Sequence, residues 1–383
     1  MHRARRFLLS MLLCWPMLAL ARDPLPDLVA QRAQALDFNG TVLVQQAGQP
    51  LLLRSFGLAD RRFGVPDTNQ TVYRIASITK LFTAVLVLQL HEQGRLDLQQ
   101  TVAHYLPALA HDAVGQVTLH QLLNHTSGLA NIDAIPNIED RRAWIAAALD
   151  DARTQQRLPL YQTPYTPEEL MQRFCRGPRV APPGTRFDYN NADYIVLGRI
   201  IEALHGTSYT QVLTEQLLAP LGMTHTGMAR QAVPVPGLAS TYSLAADGTT
   251  LENDPPVYTE NWDAAGGLYS TAEDLLRFSD ALFSGRLLAP DAQRRMTTPG
   301  LDDHGYGVWI RSQRIAGTPH RFLSRPGRIM GARSKLYHDL DGGLTVILLS
   351  NAGTTDLDAF AAWIAAHAHA RDDPSQALRR TTH

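Results

Sequence analysis

The chain has 383 residues, 45% of them hydrophobic and 19% charged, a globular composition with ample material for a folded core. Its 35 basic and 36 acidic side chains nearly cancel, for a formal net charge of −1. That balance gives no bulk electrostatic case for nucleic acid or an anionic membrane surface as a partner.

The first 21 residues read as an export signal. Arg3, Arg5 and Arg6 are followed by the apolar run Phe7–Leu20, and Ala19-Leu20-Ala21 fits a cleavage site before Arg22. The run is short for a membrane span, so no anchor is expected after cleavage, and a periplasmic or secreted location follows. Cys175 is then the one remaining cysteine, which excludes an internal disulfide.

Strands are expected within 38–62, where Thr41–Val44 and Leu51–Leu53 flank the turn Ala47-Gly48-Gln49-Pro50. Ser77–Arg95 reads as a helix with an apolar stripe at Leu81, Val85, Leu88 and Leu90, stopped at Gly94. From about 100 to 259 helical stretches alternate with Pro- and Gly-rich loops, giving helices over Leu197–Leu204 and Tyr209–Leu218. Thr271–Phe283 is a helix capped by Thr271. Short strands follow at Tyr306–Ile310, Arg321–Ser324, Arg333–Tyr337 and Leu344–Leu349, then a closing helix at Asp356–His367 and a frayed tail over 371–383. Strands at both ends with helices between predict an α+β fold: one antiparallel sheet built from both chain ends and flanked by helices, beside a mainly helical lobe. The domain is placed at 27–370, with the α/β lobe at about 27–99 and 260–370 and the helical lobe at about 100–259.

Lysine use is the sharpest chemical signal. Only Lys80 and Lys335 occur; every other cation is an arginine, which cannot give up its proton. Ser77 and Lys80 are one helical turn apart, so the amine would stand over the hydroxyl at the positive end of the helix. To serve as a base near neutrality, the lysine pKa must fall from about 10.4 by roughly 3 pH units, or about 4 kcal/mol. Two further clusters carry usable groups. Pro182–Asn191 breaks the chain and presents Tyr189 and Asn191 just before a helix, a proton relay and an orienting amide. Ser324–Gly331 ends one strand and turns to the next, with Gly327 allowing a substrate close to an edge strand. Each also fits a plain structural role: Ser77 as helix cap with Lys80 solvated, Tyr189 packed with Asn191 capping, and a hairpin turn with surface arginines.

Taken together and in order, Ser77-x-x-Lys80, Tyr189-x-Asn191 and the strand at 325–327 resemble the serine β-lactamases and penicillin-binding proteins. The likeness is to the class C β-lactamases and their esterase and D-amino-acid peptidase relatives, and it spans about 38 to 352. Leu122–Leu129, Pro183–Phe187, Leu221-Gly222-Met223 and Ala265–Thr271 match stretches typical of that group. The resemblance implies an acyl-enzyme on Ser77, proton transfer by Lys80 and Tyr189 jointly, and positioning of Lys80 or substrate by Asn191. It also implies substrate contacts from Arg325, Gly327 and Arg328, with the backbone N–H groups of Ser77 and Arg328 as oxyanion hole. No cofactor and no metal are expected, and the partner is a small-molecule or peptide substrate. Arg325 departs from the group's usual lysine or histidine. It is expected to grip a substrate carboxylate with two nitrogens and to disfavour β-lactam turnover.

No Gly-x-Ser-x-Gly, His-Glu-x-x-His or phosphate-binding glycine loop occurs. His125 is read as structural, Lys335 as a surface residue, and His367 and His369 as solvated. The function expected is a secreted serine hydrolase acting on an ester, amide or D-amino-acid peptide. The alternatives are a β-lactamase or D-Ala-D-Ala carboxypeptidase proper, or a catalytically weak binding protein on the same fold.

Overall fold

The computed structural model describes residues 24–130, 163–315 and 317–371. The expected signal at 1–21, most of the tail at 371–383 and part of the Pro-rich region lie outside them.

The core elements, in chain order, are α1 (Leu25–Ala35), β1 (Gly40–Gln46), β2 (Gln49–Phe56), α2 (Thr79–Glu92), α3 (Asn191–His205) and α4 (Ala272–Phe283). Then come β3 (Trp309–Ile315), β4 (Thr318–Ile329), β5 (Ala332–Asp339), β6 (Leu344–Ser350) and α5 (Leu357–Ala370). The six strands form one antiparallel sheet in the order β3-β4-β5-β6-β1-β2. The first two strands therefore pair onto the last, with Gly40 opposite Ser350, as an assembly from both ends requires.

Alternation along the strands divides two cores. Val42, Val44, Phe322, Val346 and Leu348 face α1 and α5, joining Leu25, Val29, Phe360 and Ile364. Leu43, Leu323, Leu336, Ile347 and Leu349 point the other way, into a larger core shared with α2 and the other helices. A sheet covered on both faces needs apolar residues at both parities, which is why β6 (LTVILLS) is buried along its whole length.

The β1–β2 turn is confined to Ala47 and Gly48, both at positive φ, a two-residue hairpin whose twist matches the strands. The Ser77–Arg95 segment differs from one continuous helix. A 3₁₀ turn, Ala76–Ile78, precedes α2, and Ala76 takes a φ of 45°. Helix α2 is buried nearly all round rather than along one stripe, because it runs between the sheet and the other helices. Its Phe82 stacks on Phe278 of α4 with ring centroids 3.9 Å apart, both rings fully buried. The segment 325–329, expected as a turn, belongs to β4, and the turn itself is Met330-Gly331. The α1 helix had no sequence prediction. No described helix is long and apolar enough to cross a membrane.

Phe82→Ala should empty the space under Phe278 and cost about 3–5 kcal/mol. Urea unfolding monitored by far-UV circular dichroism should show the lower midpoint without a change in slope.

Candidate active site

Three segments far apart in the chain meet where the 3₁₀ turn before α2 abuts the overhanging end of β4. Strand β3 covers β4 only as far as Ser324, so Arg325–Ile329 have an open edge. The turn is fastened there by Ser334 Oγ donating to the Ile75 carbonyl at 2.7 Å, and by Thr79 Oγ1 donating to the Ala76 carbonyl at 2.6 Å. A Cβ on Gly327 would lie 2.2 Å from both the Ile75 oxygen and Ser334 Oγ. The missing side chain at Gly327 thus makes room for the protein's own turn, while the residue itself stays in the wall of the pocket.

Ser77 does not cap α2, since no side-chain cap bond forms at that helix start. Its hydroxyl lies 2.8 Å from the Tyr189 hydroxyl and 3.4 Å from Lys80 Nζ. Lys80 is fully buried and also donates to Asn191 Oδ1 at 2.5 Å and to the Ala265 carbonyl at 2.7 Å. Asn191 is free to do this because Asn190, not Asn191, caps α3 by accepting from Ala192 N–H at 2.8 Å.

Arg325 is also fully buried. Its Nε donates to the Ser77 carbonyl at 2.7 Å and its Nη2 to the Tyr189 hydroxyl at 2.8 Å. Two of its three nitrogens are therefore engaged by the protein, and Nη1 is the one left without a hydrogen-bond partner there. Its guanidinium stacks 5.4 Å from the rings of both Tyr189 and Trp309. Burial raises the Tyr189 pKa, but the positive charges of Arg325 and Lys80 and hydrogen bonds from Lys80 and Ser77 outweigh it, and the net shift is downward. A pocket of about 400 Å³ opens over these groups, lined by Ser77, Tyr189, Asn191, Arg325 and Gly327, and by Arg328 on its exposed side. Its apolar wall is Trp262, Trp309, Ile329 and Met330.

Six of the seven sequence-predicted residues thus line this pocket, and the seventh, Lys80, is buried beside it against Ser77 and Asn191. A sequence profile of the Beta-lactamase family matches residues 25–371. The chain belongs to the Beta-lactamase family. Among its relatives, the crystal structure of a penicillin binding protein from Bacillus halodurans superposes with a TM-score of 0.74 at 27% identity, covering 88% of this chain and 99% of that one. A D-stereospecific amidohydrolase from Streptomyces sp. gives 0.70 at 26% identity, covering 87% and 97%. Esterase EstB of Burkholderia gladioli is 27% identical over 354 residues, 82% of this chain and 86% of its own. This Beta-lactamase family member therefore has the serine-hydrolase fold, with esterase and amidohydrolase relatives.

Other groups sit differently from expectation. Lys335, read as a surface residue, is 1% exposed on the far face of the sheet, where it donates to Ser324 Oγ at 2.6 Å and pairs with Asp358. It takes no part in the cleft. His125 makes a buried pair with Asp193 through Nδ1 at 3.0 Å, its ring 4.6 Å from that of Tyr189. Burial lowers the pKa of this imidazole and raises that of the carboxyl, so desolvation opposes charge on either partner of the pair, which makes no hydrogen bond to Ser77. Sequence reasoning missed Trp309, Trp262 and the Ala265 carbonyl. Only Ala265 carried a signal, within the Ala265-Gly266-Gly267 stretch.

His304 lies beneath Trp309 and beside His125, and neither of its ring nitrogens makes a hydrogen bond of ordinary geometry. Burial, with Arg325 nearby, takes its pKa from 6.5 to about 2. A depressed histidine pKa favours folding at neutral pH, and that stability is lost as the pH falls below 6.5, because the unfolded chain then binds the extra proton. Between pH 6.5 and 4.5 the loss from this group is about 1.4 kcal/mol per unit. His304→Phe should keep the fold and flatten that part of the decline, measured as urea midpoints across the range.

Proposed function

We propose that the protein is a hydrolase of uncharged esters and amides that works through an acyl-enzyme on Ser77, with Tyr189 as the proton acceptor. The observation that carries this reading is the single Tyr189 oxygen lying 2.8 Å from Ser77 Oγ and 2.8 Å from Arg325 Nη2, with Lys80 Nζ 4.8 Å from the phenol ring centroid. A phenol facing two cations is poised to act as phenolate at lower pH than a free tyrosine.

In the proposed reaction Ser77 Oγ attacks the carbonyl carbon and its proton passes to the Tyr189 oxygen. The negative charge moves onto the former carbonyl oxygen. It meets the Ser77 N–H and, two residues beyond Pro326, the Arg328 N–H. Residues two apart present their backbone nitrogens to the same side of a strand, and a proline is tolerated only on the side that needs no donor. That side is the open edge above the pocket. As the tetrahedral centre collapses, the bond to the leaving alkoxide or amine breaks and Tyr189 returns the proton to it. Water then repeats the sequence on the acyl-serine with Tyr189 again as base. Lys80 supplies charge and, with two hydrogen bonds to pure acceptors, a fixed geometry. The apolar wall of Trp262, Trp309, Ile329 and Met330 suits an apolar acyl group. Arg325 is committed to Ser77 and Tyr189, which argues against anchoring a β-lactam carboxylate there. The apolar stretch before Arg22 supports action outside the cytoplasm.

A fluorophosphonate probe should label the protein covalently, and Ser77→Ala should abolish the label. Saturable binding without an adduct would instead mark a binding protein. A short-chain nitrophenyl ester should be turned over faster than nitrocefin or a D-Ala-D-Ala peptide, and Tyr189→Phe should lower kcat by roughly 10²–10⁴.

The alkaline-rising limb of kcat/KM should report the Tyr189 phenolate. Arg325→Gln removes a charge that lowers the Tyr189 pKa, so this limb should move to higher pH. An unmoved limb would reject Tyr189 as the base.

A further inference from the structure

On the opposite side of the sheet from the pocket, a second group of side chains converges. His320 of β4, Asp339 at the end of β5 and His369 in the last turn of α5 bring three donor atoms within 4.8 Å of one another. Among the described residues they are the one place where three such side chains meet. His320 Nδ1 and His369 Nε2 both lie 2.8 Å from the same oxygen, Asp339 Oδ2. The first contact is an ordinary hydrogen bond; the second is not, since His369 Nε2 is buried without a hydrogen-bond partner of acceptable geometry. His369 is therefore not the solvated residue its place near the tail suggests, whereas His367 uses Nδ1 on the Trp363 carbonyl at 2.8 Å.

The surroundings hold this arrangement. Asp339 is fully buried, and its other oxygen accepts the Asp341 N–H at 2.9 Å, which fixes the carboxylate plane. A Cβ on Gly342 would lie 2.4 Å from Asp339 Oδ2 and 2.8 Å from His369 Cε1, so the glycine leaves the space in which imidazole and carboxylate meet. The two imidazole rings are 4.7 Å apart and tilted by 45°. Two imidazole nitrogens and a carboxylate are a donor set for a divalent transition ion, with zinc–ligand distances of about 2.0–2.2 Å. Around a tetrahedral centre such donors stand roughly 3.3 Å apart, which small side-chain rotations reach from the distances here. The His320 ring is 17% exposed, giving an entry path and an open side for water as fourth ligand.

We propose that His320, Asp339 and His369 bind one divalent transition-metal ion, zinc fitting best, which fastens the end of α5 to the sheet. The site is structural, lies apart from Ser77, and does not rest on the hydrolase reading.

The purified protein, stripped with a chelator and exchanged into metal-free buffer, is titrated with ZnCl₂ by calorimetry and followed by thermal unfolding. One equivalent should bind and raise Tm by roughly 3–6 °C at saturation. His320→Gln and His369→Gln, both at the edge of the core, should each weaken binding by roughly tenfold or more, with folding checked by circular dichroism. His111→Gln, at an exposed position elsewhere, should leave binding unchanged. Absence of one-to-one binding, or binding that survives both glutamine variants, would overturn the site.

Discussion

Two buried cations face one phenol, and the rest of the site is arranged around that contact. Taking Tyr189 out of water raises its pKa, so without compensation it would be a poorer base than a free tyrosine. A unit charge about 5 Å away at an effective dielectric of 20 contributes roughly 3 kcal/mol, and Arg325 and Lys80 each supply one. Together with the hydrogen bonds to Lys80 and Ser77 they outweigh the desolvation cost, and the shift is downward. Each cation in turn needs acceptors in a water-poor setting. Asn191 and Ala265 serve Lys80; the Ser77 carbonyl and the aromatic faces of Tyr189 and Trp309 serve Arg325.

Arginine at 325 changes what the site can do. A lysine or histidine there could exchange a proton; a guanidinium cannot. Its planar fork does something else, bridging the Ser77 backbone and the Tyr189 phenol at once, and so ties those two segments together. Charge at this position is permanent, and two of the three guanidinium nitrogens are held by Ser77 and Tyr189.

Much of this was legible in the sequence because local rules governed it. The Ser77–Lys80 spacing places both on one helical face, the scarcity of lysine singles out Lys80, and alternating apolar strands at both ends imply a shared sheet. What was not legible depends on which face a residue takes in the folded molecule. Lys335 and Pro326 sit opposite each other on adjacent strands, and strand parity sends the lysine to the far side, under α5. Gly327 also leaves room for Ile75, some 250 positions earlier, a contact of which the chain gives no hint. Asn190 and Asn191 are interchangeable by composition, and only the exact helix start decides which one caps and which one reaches Lys80. Trp309 carried no motif at all. Its role arises from the end of β3 meeting the guanidinium.

The pairing of Gly40 with Ser350 also has a consequence for biosynthesis. The N-terminal hairpin emerges from the ribosome about 300 residues before the strand it must join. At about 5–20 residues per second, that is a wait of roughly 15–60 s. For most of it, β1 presents an unpaired apolar edge, and β4, against which the Ser77 turn packs, does not yet exist. A polypeptide that stops short of Ser350 cannot complete this sheet, so the surroundings of Ser77 are assembled long after its own segment has been made.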